Sequence, residues 1–445
     1  MMKTEIKQQV EMYPFAKKLF EQTYEWTNQC VQCGYCLPAC PTYESMGKES
    51  ASPRGRINLI KMAAEGLIGI QEHLAEPIDL CLGCRACETA CPVGVPYGHL
   101  LEATKEIIVQ SKQVHSRSER LKQFTLNSLT PYPDRMKIAG NLVWFYQKSG
   151  IGTFVRKTKI LSKTSQKLAQ LEQAVPQVGS PSSRLKHGAV YLAKGKKKGK
   201  VAFFAGCIMD ALMSRINRLT VELLTELGFE VVVPENQACC GALHGHQGEK
   251  ETAKELAKKN ILAFQASGAA YYINNAGGCG AAMHEYDHLL MDEVEWKEAA
   301  KAFVEKSIDI SQILLEYGSL PFKQPWHGIV VYQDSCHLRN VQNVVNEPRK
   351  LLQSIPGITF VELEDADHCC ASGGIYNLLH FEESMQILDL KMEKVNRTKA
   401  AIIVTSNPGC QLQMNLGILR KGHSKQMKSM HLVEILAEAC GIQAF

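Results

Sequence analysis

No stretch of the 445-residue chain supplies the run of roughly 18 or more apolar residues that a membrane-spanning helix needs. The longest approach, Ile138 to Val155, is broken by Asn141, Gln147, Lys148 and three glycines. Charge of one sign is also scarce. Fifty Lys and Arg against 45 Asp and Glu leave +5, too mild a balance to argue for nucleic acid as a partner. There is no strand–GxGxxG–helix unit followed by an acidic residue, so neither NAD nor flavin is expected on this chain. A Walker A lysine loop is missing too, and no Ser-His-Asp set or glycosidase carboxylate pair can be read out. Met1 to Phe15 alternates charged and apolar residues without a signal-peptide core. A cytoplasmic location is therefore expected, with peripheral docking at the inner face of the cell membrane compatible with it. Hydrophobic residues at 45% and charged residues at 21% exclude disordered and fibrous classes, and the length suggests roughly three domains.

Cysteine, by contrast, is abundant. Seventeen thiols in a chain of this length, in a reducing compartment, read first as metal ligands rather than disulfides. Eight lie before residue 92, none between 92 and 206, and nine after, which is itself a domain map. Cys30, Cys33, Cys36, Cys40 with Pro41, and Cys81, Cys84, Cys87, Cys91 with Pro92, both spell C-x2-C-x2-C-x3-C-P, the bacterial ferredoxin run. Three cysteines at two-residue gaps let a tight loop wrap three corners of a cubane. The fourth, carried past the turn, points elsewhere, and in two-cluster ferredoxins it ligates the other cluster. The expected sets are Cys30, Cys33, Cys36 and Cys91 for one [4Fe-4S] cluster, and Cys40, Cys81, Cys84 and Cys87 for the second. Structural zinc sites, built from pairs of C-x2-C, fit this spacing less well. Gly34 and Gly83 sit inside the loops, where backbone must pass close to sulfide. Arg54 and Arg56 lie between the runs, and guanidinium groups beside anionic clusters would favour the reduced state; a solvated loop opening a helix from Ile57 to Glu65 is the plainer account.

The later cysteines repeat. Cys207, Cys239-Cys240 and Cys279 recur as Cys336, Cys369-Cys370 and Cys410 at offsets of 129, 130 and 131 residues, the mark of a duplication. Cys440 has no counterpart and reads as a core helix residue. Strands are expected at 201–205, 229–233 and 270–274, and again at 328–332, 358–363 and 400–404, with amphipathic helices between them. Such alternation argues for parallel α/β sheets. Every repeat cysteine falls just after a strand, and sites in parallel sheets form beyond the carboxyl ends of the strands. The eight thiols are thus candidates for one or two additional clusters or a redox site. His244, His246, His337 and His368 lie near them in sequence and read as ordinary polar neighbours.

The fold class expected is multidomain. A helical two-cluster ferredoxin-type domain occupies residues 1–110, and a helical connector with a basic linker occupies 111–200. Cysteine-rich repeats follow at 201–320 and 321–445. Aromatics of the connector, Phe124, Trp144, Phe145 and Tyr146 among them, suit either packing or a docking face. The lysines of 194–200 read as solvated. One-electron centres without a hydride acceptor make a wire, which needs a flavin-bearing partner.

Twin ferredoxin runs ahead of two cysteine-rich repeats, with Cys239-Cys240-Gly241 and Asn407-Pro408-Gly409-Cys410 as repeat signatures, resemble the iron–sulfur subunit of glycolate oxidase in its Bacillus-type form, over nearly the whole chain. The resemblance implies a complex with FAD-containing subunits that oxidise glycolate, electrons passing through this subunit to a quinone-type acceptor. Subunits for lactate or glycerol-3-phosphate oxidation are similar. Heterodisulfide reductase repeats carry a further C-x2-C ending. Here those positions are Ala282 and Gln413, and the second repeat reads Cys369-Cys370-Ala371; these departures weigh against disulfide-reducing catalysis and leave a heterodisulfide-type thiol–disulfide enzyme as the alternative only.

Overall fold

The computed structural model describes residues 17–111, 117–318 and 320–443; the segment Met1 to Phe15 lies outside them. In the N-terminal part, helices Lys17–Asn28, Pro53–Ala64 and Tyr97–Gln110 pack around one core. Phe20 and Tyr24 from the first meet Ile57 and Ile60 from the second and Leu100, Ile107 and Ile108 from the third. The second helix starts four residues earlier than its apolar spacing predicts. Ser52 caps it, accepting a hydrogen bond from the Gly55 N–H at 2.9 Å, and Pro53 takes the first turn, where no N–H is needed. Among the described residues no strand forms before residue 190, so both cysteine runs are carried by short loops and helix ends.

The second half holds two sheets. The first has the order β1-β3-β2-β4-β5, made from Val190–Tyr191, Gly199–Phe203, Phe229–Val232, Tyr271–Asn274 and Ser307–Asp309. The second has the order β7-β6-β8-β9, from Gly328–Tyr332, Ile358–Phe360, Ile402–Thr405 and Lys428–His431. Setting β1 aside, the two orders are the same, and every pairing within them is parallel. The six expected strands are present, shifted by two residues at most at their starts. Strands β5 and β9 are not expected from the sequence, because each carries few apolar residues and runs directly into a helix. Asp309 and His431 end them as N-caps of Ile310–Glu316 and Leu432–Ala439, both with full capping boxes.

The repeats share a core. Leu223, Val231 and Ile310 from the first lie in one apolar cluster with Leu352, Val404 and Leu436 from the second. Cys440 is buried in that cluster at the end of the last helix. At the seam, the Gly277 N–H donates to Ser406 O at 2.9 Å and the Gly278 N–H to Asn407 Oδ1 at 3.0 Å.

The connector forms helices Arg117–Ser128, Pro133–Lys148, Ile151–Thr158, Ile160–Thr164 and Gln166–Ala174. It packs Gly140 against the Ala211 carbonyl of the first repeat and buries Ala174 among second-repeat residues. The basic stretch after it is tied down rather than loose. β1 pairs antiparallel with β3, Lys194 bridges Glu222 and Glu226 at 2.8 Å, and Lys197 meets Glu230 at 2.8 Å.

Candidate metal centres and thiol clusters

The first cavity of interest is lined by Cys30, Cys33 and Cys36 from the first run and by Cys91 from the second. The loop that carries the first three turns at Gly34, whose φ of +87° is in the left-handed region that glycine adopts without strain. Cys87 and Tyr97 also reach this cavity. A second cavity is lined by Cys81, Cys84 and Cys87 from the second run and by Cys40 from the first. Gly83 turns its loop at φ +64°, and its N–H donates to the Cys81 sulfur at 3.5 Å. The second cavity thus draws three thiols from one run and the fourth from the other, and the first holds such a set with Cys87 in addition.

Electrostatics differ between the arginines. Arg54 stays at the surface, ion-paired with Glu49 at 2.7 Å and donating to Gln32 O at 3.3 Å. Arg56 is 1% exposed. Its Nε donates to Pro77 O at 2.7 Å and its Nη1 to Thr42 Oγ1 at 3.2 Å, while Nη2 is buried with no partner. Burial opposes ionisation of Cys81, but the Arg56 guanidinium and the Tyr97 hydroxyl, which donates to the sulfur at 3.5 Å, hold its thiol below the ordinary range. Cys84 and Cys87 are pushed well up, chiefly by burial. A buried cation with an unused N–H, in a cavity lined by four thiols of which two resist ionisation, is an unbalanced arrangement for the protein alone. An anionic thiolate-bound cluster would balance it, so the donor set and the orphaned guanidinium fit such a group. Tyr97, six residues beyond Cys91, carries no sequence signal that would have singled it out.

In the repeats the sheet order brings distant cysteines together. β2 and β6 are central, with strands leaving to either side, and the thiols follow the ends of β2, β3 and β4, or β6, β7 and β8. Cys207 and Cys239 lie 3.6 Å apart, and Cys239 and Cys279 both act on the ionisation of Cys240. In the second repeat the same electrostatic coupling runs through Cys336, Cys369, Cys370 and Cys410. Contact with Cys239 and then burial push Cys207 well up; contact with Cys369 and then burial do the same for Cys336. Gly241 (φ +84°) turns the first Cys-Cys pair, and Ala371 holds the same left-handed conformation (φ +68°) in the second. Gln413, where a fifth thiol is absent, spends its amide on Ser384 and Asn377.

The N-terminal part abuts the second repeat at its thiols. Leu82 and Cys84 share an apolar cluster with Cys336, Cys369 and Ala371. Asn340 Nδ2 pins the contact, donating to Cys84 O at 2.8 Å. Of the four histidines, His244 bonds Leu126 O at 2.9 Å, His246 pairs with Glu102 at 2.9 Å, and His368 faces Glu44 at 3.3 Å. His337 lies against Cys336, its Nδ1 3.4 Å from the sulfur.

Comparison with known proteins agrees with this layout. Residues 26–95 match the model of a 4Fe-4S dicluster domain, and residues 201–284 and 330–415 each match that of a cysteine-rich domain. Residues 117–175 match the linker region of the glycolate oxidase iron–sulfur subunit. The probable glycolate oxidase iron–sulfur subunit of Bacillus subtilis (strain 168) is 50% identical over 418 residues, 93% of this chain and 94% of that protein. The glycolate oxidase iron–sulfur subunit of Escherichia coli (strain K12) is 30% identical over 92% of this chain and 93% of its own length. Lactate utilization protein A of Oceanobacillus iheyensis is 34% identical over 238 residues, 53% of this chain and 96% of its own. With its cysteine layout and near full-length identity taken together, the chain belongs to the glycolate oxidase iron–sulfur subunit family.

Proposed function

We propose that this chain is the electron-transfer subunit of a flavin-dependent 2-hydroxy-acid dehydrogenase that oxidises glycolate. Electrons enter from FAD-containing partner subunits and leave to a quinone-type acceptor at the inner face of the membrane. One observation carries the reading: two cavities, each lined by thiols of both ferredoxin runs, the second packed against the thiols of the second repeat. Cys30, Cys33, Cys36 and Cys91 would hold one [4Fe-4S] cluster, and Cys40, Cys81, Cys84 and Cys87 the other. Such clusters, when bound, supply one-electron carriage without bond making. The chain's own part is to bury them, to set the Arg56 charge beside the second, and to aim the Tyr97 hydroxyl and Gly83 N–H at the Cys81 sulfur. The repeat quartets would extend the path. As free thiols Cys207, Cys239, Cys240, Cys336, Cys369 and Cys370 are poor nucleophiles, since contact with a neighbouring thiol and burial raise them, which weighs against the thiol–disulfide alternative.

The test is reduction of the anaerobically purified complex by substrate, followed by EPR. Glycolate is expected to reduce the iron–sulfur signals when the flavin subunits are present and to leave the isolated chain unchanged. Reduction by lactate or glycerol-3-phosphate instead would reassign the substrate. Turnover of disulfides by the isolated chain would overturn the reading.

A further inference from the structure

A cavity of about 200 Å³ lies between the N-terminal helices and the first repeat, apart from both ferredoxin-run cavities. The Cys240-Gly241-Ala242 turn lines it, which places one thiol of the first quartet at its wall. On one wall the rings of His99 and His288 stack, with centroids 3.7 Å apart. On another, His246 Nδ1 pairs with Glu102 at 2.9 Å. Trp26, Tyr286 and Leu289 give the cavity an apolar interior. Its ionisable rim is mainly acidic. Glu102, Glu106, Glu285 and Asp292 face Lys250, and Arg85 is already bound by Glu88 and Glu285. A hydroxy-acid carboxylate would be repelled there. A neutral, flat ring able to accept hydrogen bonds from imidazole suits it.

We propose that this cavity binds the ring of a quinone, with the His246–Glu102 pair delivering its protons. The ring takes up two electrons and two protons, and its two carbonyl oxygens become hydroxyls. The electrons come singly from the partner's reduced flavin through the cysteine-held centres. The protons come from His246, which solvent re-protonates by way of Glu102. This rests on the electron-transfer reading above, but binding can be read without turnover. Menadione titrated into the anaerobically purified full chain is expected to quench tryptophan fluorescence saturably, and Trp26→Phe to remove that component. Ala282→Phe inside the cavity and Met291→Phe at its exposed rim should each weaken the effect at least tenfold. His246→Gln should keep the quench yet slow quinol formation and shift its pH profile in the complex. Quenching that is independent of Trp26, or unchanged by both filling variants, overturns the proposal. Failure of glycolate to reduce the clusters would instead strike the electron-transfer reading and leave the quench intact.

The connector carries a second, independent feature. Residues 123–175 hold eight basic and two acidic side chains, a net +6 that exceeds the +5 of the whole chain. Ile138, Leu142 and Phe145 form an exposed stripe at helical spacing, opposite the buried Met136 and Gly140. Phe154, Ile160 and Leu168 continue the exposed apolar surface among Arg156, Lys157, Lys159 and Lys163. Six of the eight basic residues are lysine, which protein–protein interfaces disfavour and anionic headgroups attract. We infer that this face lies on an anionic lipid surface, its apolar side chains entering the headgroup boundary. It is joined to the cavity, because His244 in the cavity-lining turn bonds Leu126 O and Thr130 of the connector. The full chain is expected to sediment with phosphatidylglycerol vesicles and not with phosphatidylcholine vesicles. Phe145→Ser/Phe154→Ser and Lys157→Glu/Lys159→Glu should each weaken this at least tenfold. No binding to anionic vesicles, or binding untouched by both double variants, overturns it. So does loss of the flavin subunits from a variant that still binds vesicles, which would assign the face to a protein partner.

Discussion

His431 is buried between the repeats with both ring nitrogens engaged. Nε2–H donates to Asn275 O at 2.9 Å, and Nδ1 accepts from the Val433 N–H at 3.2 Å. Protonation would set a new N–H against an existing one, and burial holds the folded-state pKa down to about 4. The unfolded chain, with an ordinary value near 6.5, takes up the proton first as pH falls. Stability from this group is thus complete above about pH 6.5 and is lost toward pH 4. Urea unfolding at pH 7.5 and pH 5 should differ by about 2 kcal/mol less in His431→Asn, which keeps the cap. Arg56 gives a second test. Arg56→Gln removes the buried charge beside Cys81, and a redox titration should find the second-run cluster harder to reduce, with the first-run potential unmoved. Equal potentials in wild type and variant would contradict the electrostatic account. The cysteines are legible because ligand spacing is local. Whether an arginine between the runs is buried is not local: Arg54 and Arg56 are two residues apart and take opposite environments.

At the level of strands and turns, legibility follows apolar content. An apolar run such as that in Gly328–Tyr332 announces itself. Ser307–Asp309 and Lys428–His431 do not, since their strand character comes from pairing with β4 and β8. The duplication is visible in cysteine spacing, but its seam is not. A Cβ on Gly277 would come within 2.3 Å of Ser335 Oγ. Gly277→Ala should therefore destabilise by about 2 kcal/mol, with partial recovery in Gly277→Ala/Ser335→Gly, measured by denaturant unfolding. Ala371 is the converse case. Its left-handed backbone costs about 1 kcal/mol, so Ala371→Gly should raise stability by about that much. A loss on this substitution would mean that the methyl group, fully buried against Cys369 and Tyr376, contributes more than the strain removes.

Across the molecule, the twin runs, the repeat and the family could be read from the order of residues alone, whereas the mutual placement of the parts could not. That the second ferredoxin cavity meets the second repeat through Cys84, Cys336 and Cys369, and that an acidic, histidine-lined cavity opens at the first repeat, depends on contacts between residues more than a hundred positions apart. The second ferredoxin cavity abuts the second-repeat thiols, and Cys240 of the first repeat lines the acidic cavity. All of it depends on cluster sites shared between the two runs. The most direct measurement is low-temperature EPR, with iron and sulfide analysis, of anaerobically purified Cys33→Ser, Cys84→Ser and Cys91→Ser. The account predicts that Cys91→Ser matches Cys33→Ser, losing the same cluster signal while the other persists. A Cys91→Ser spectrum matching Cys84→Ser, or a parent protein without iron and labile sulfide, would contradict it.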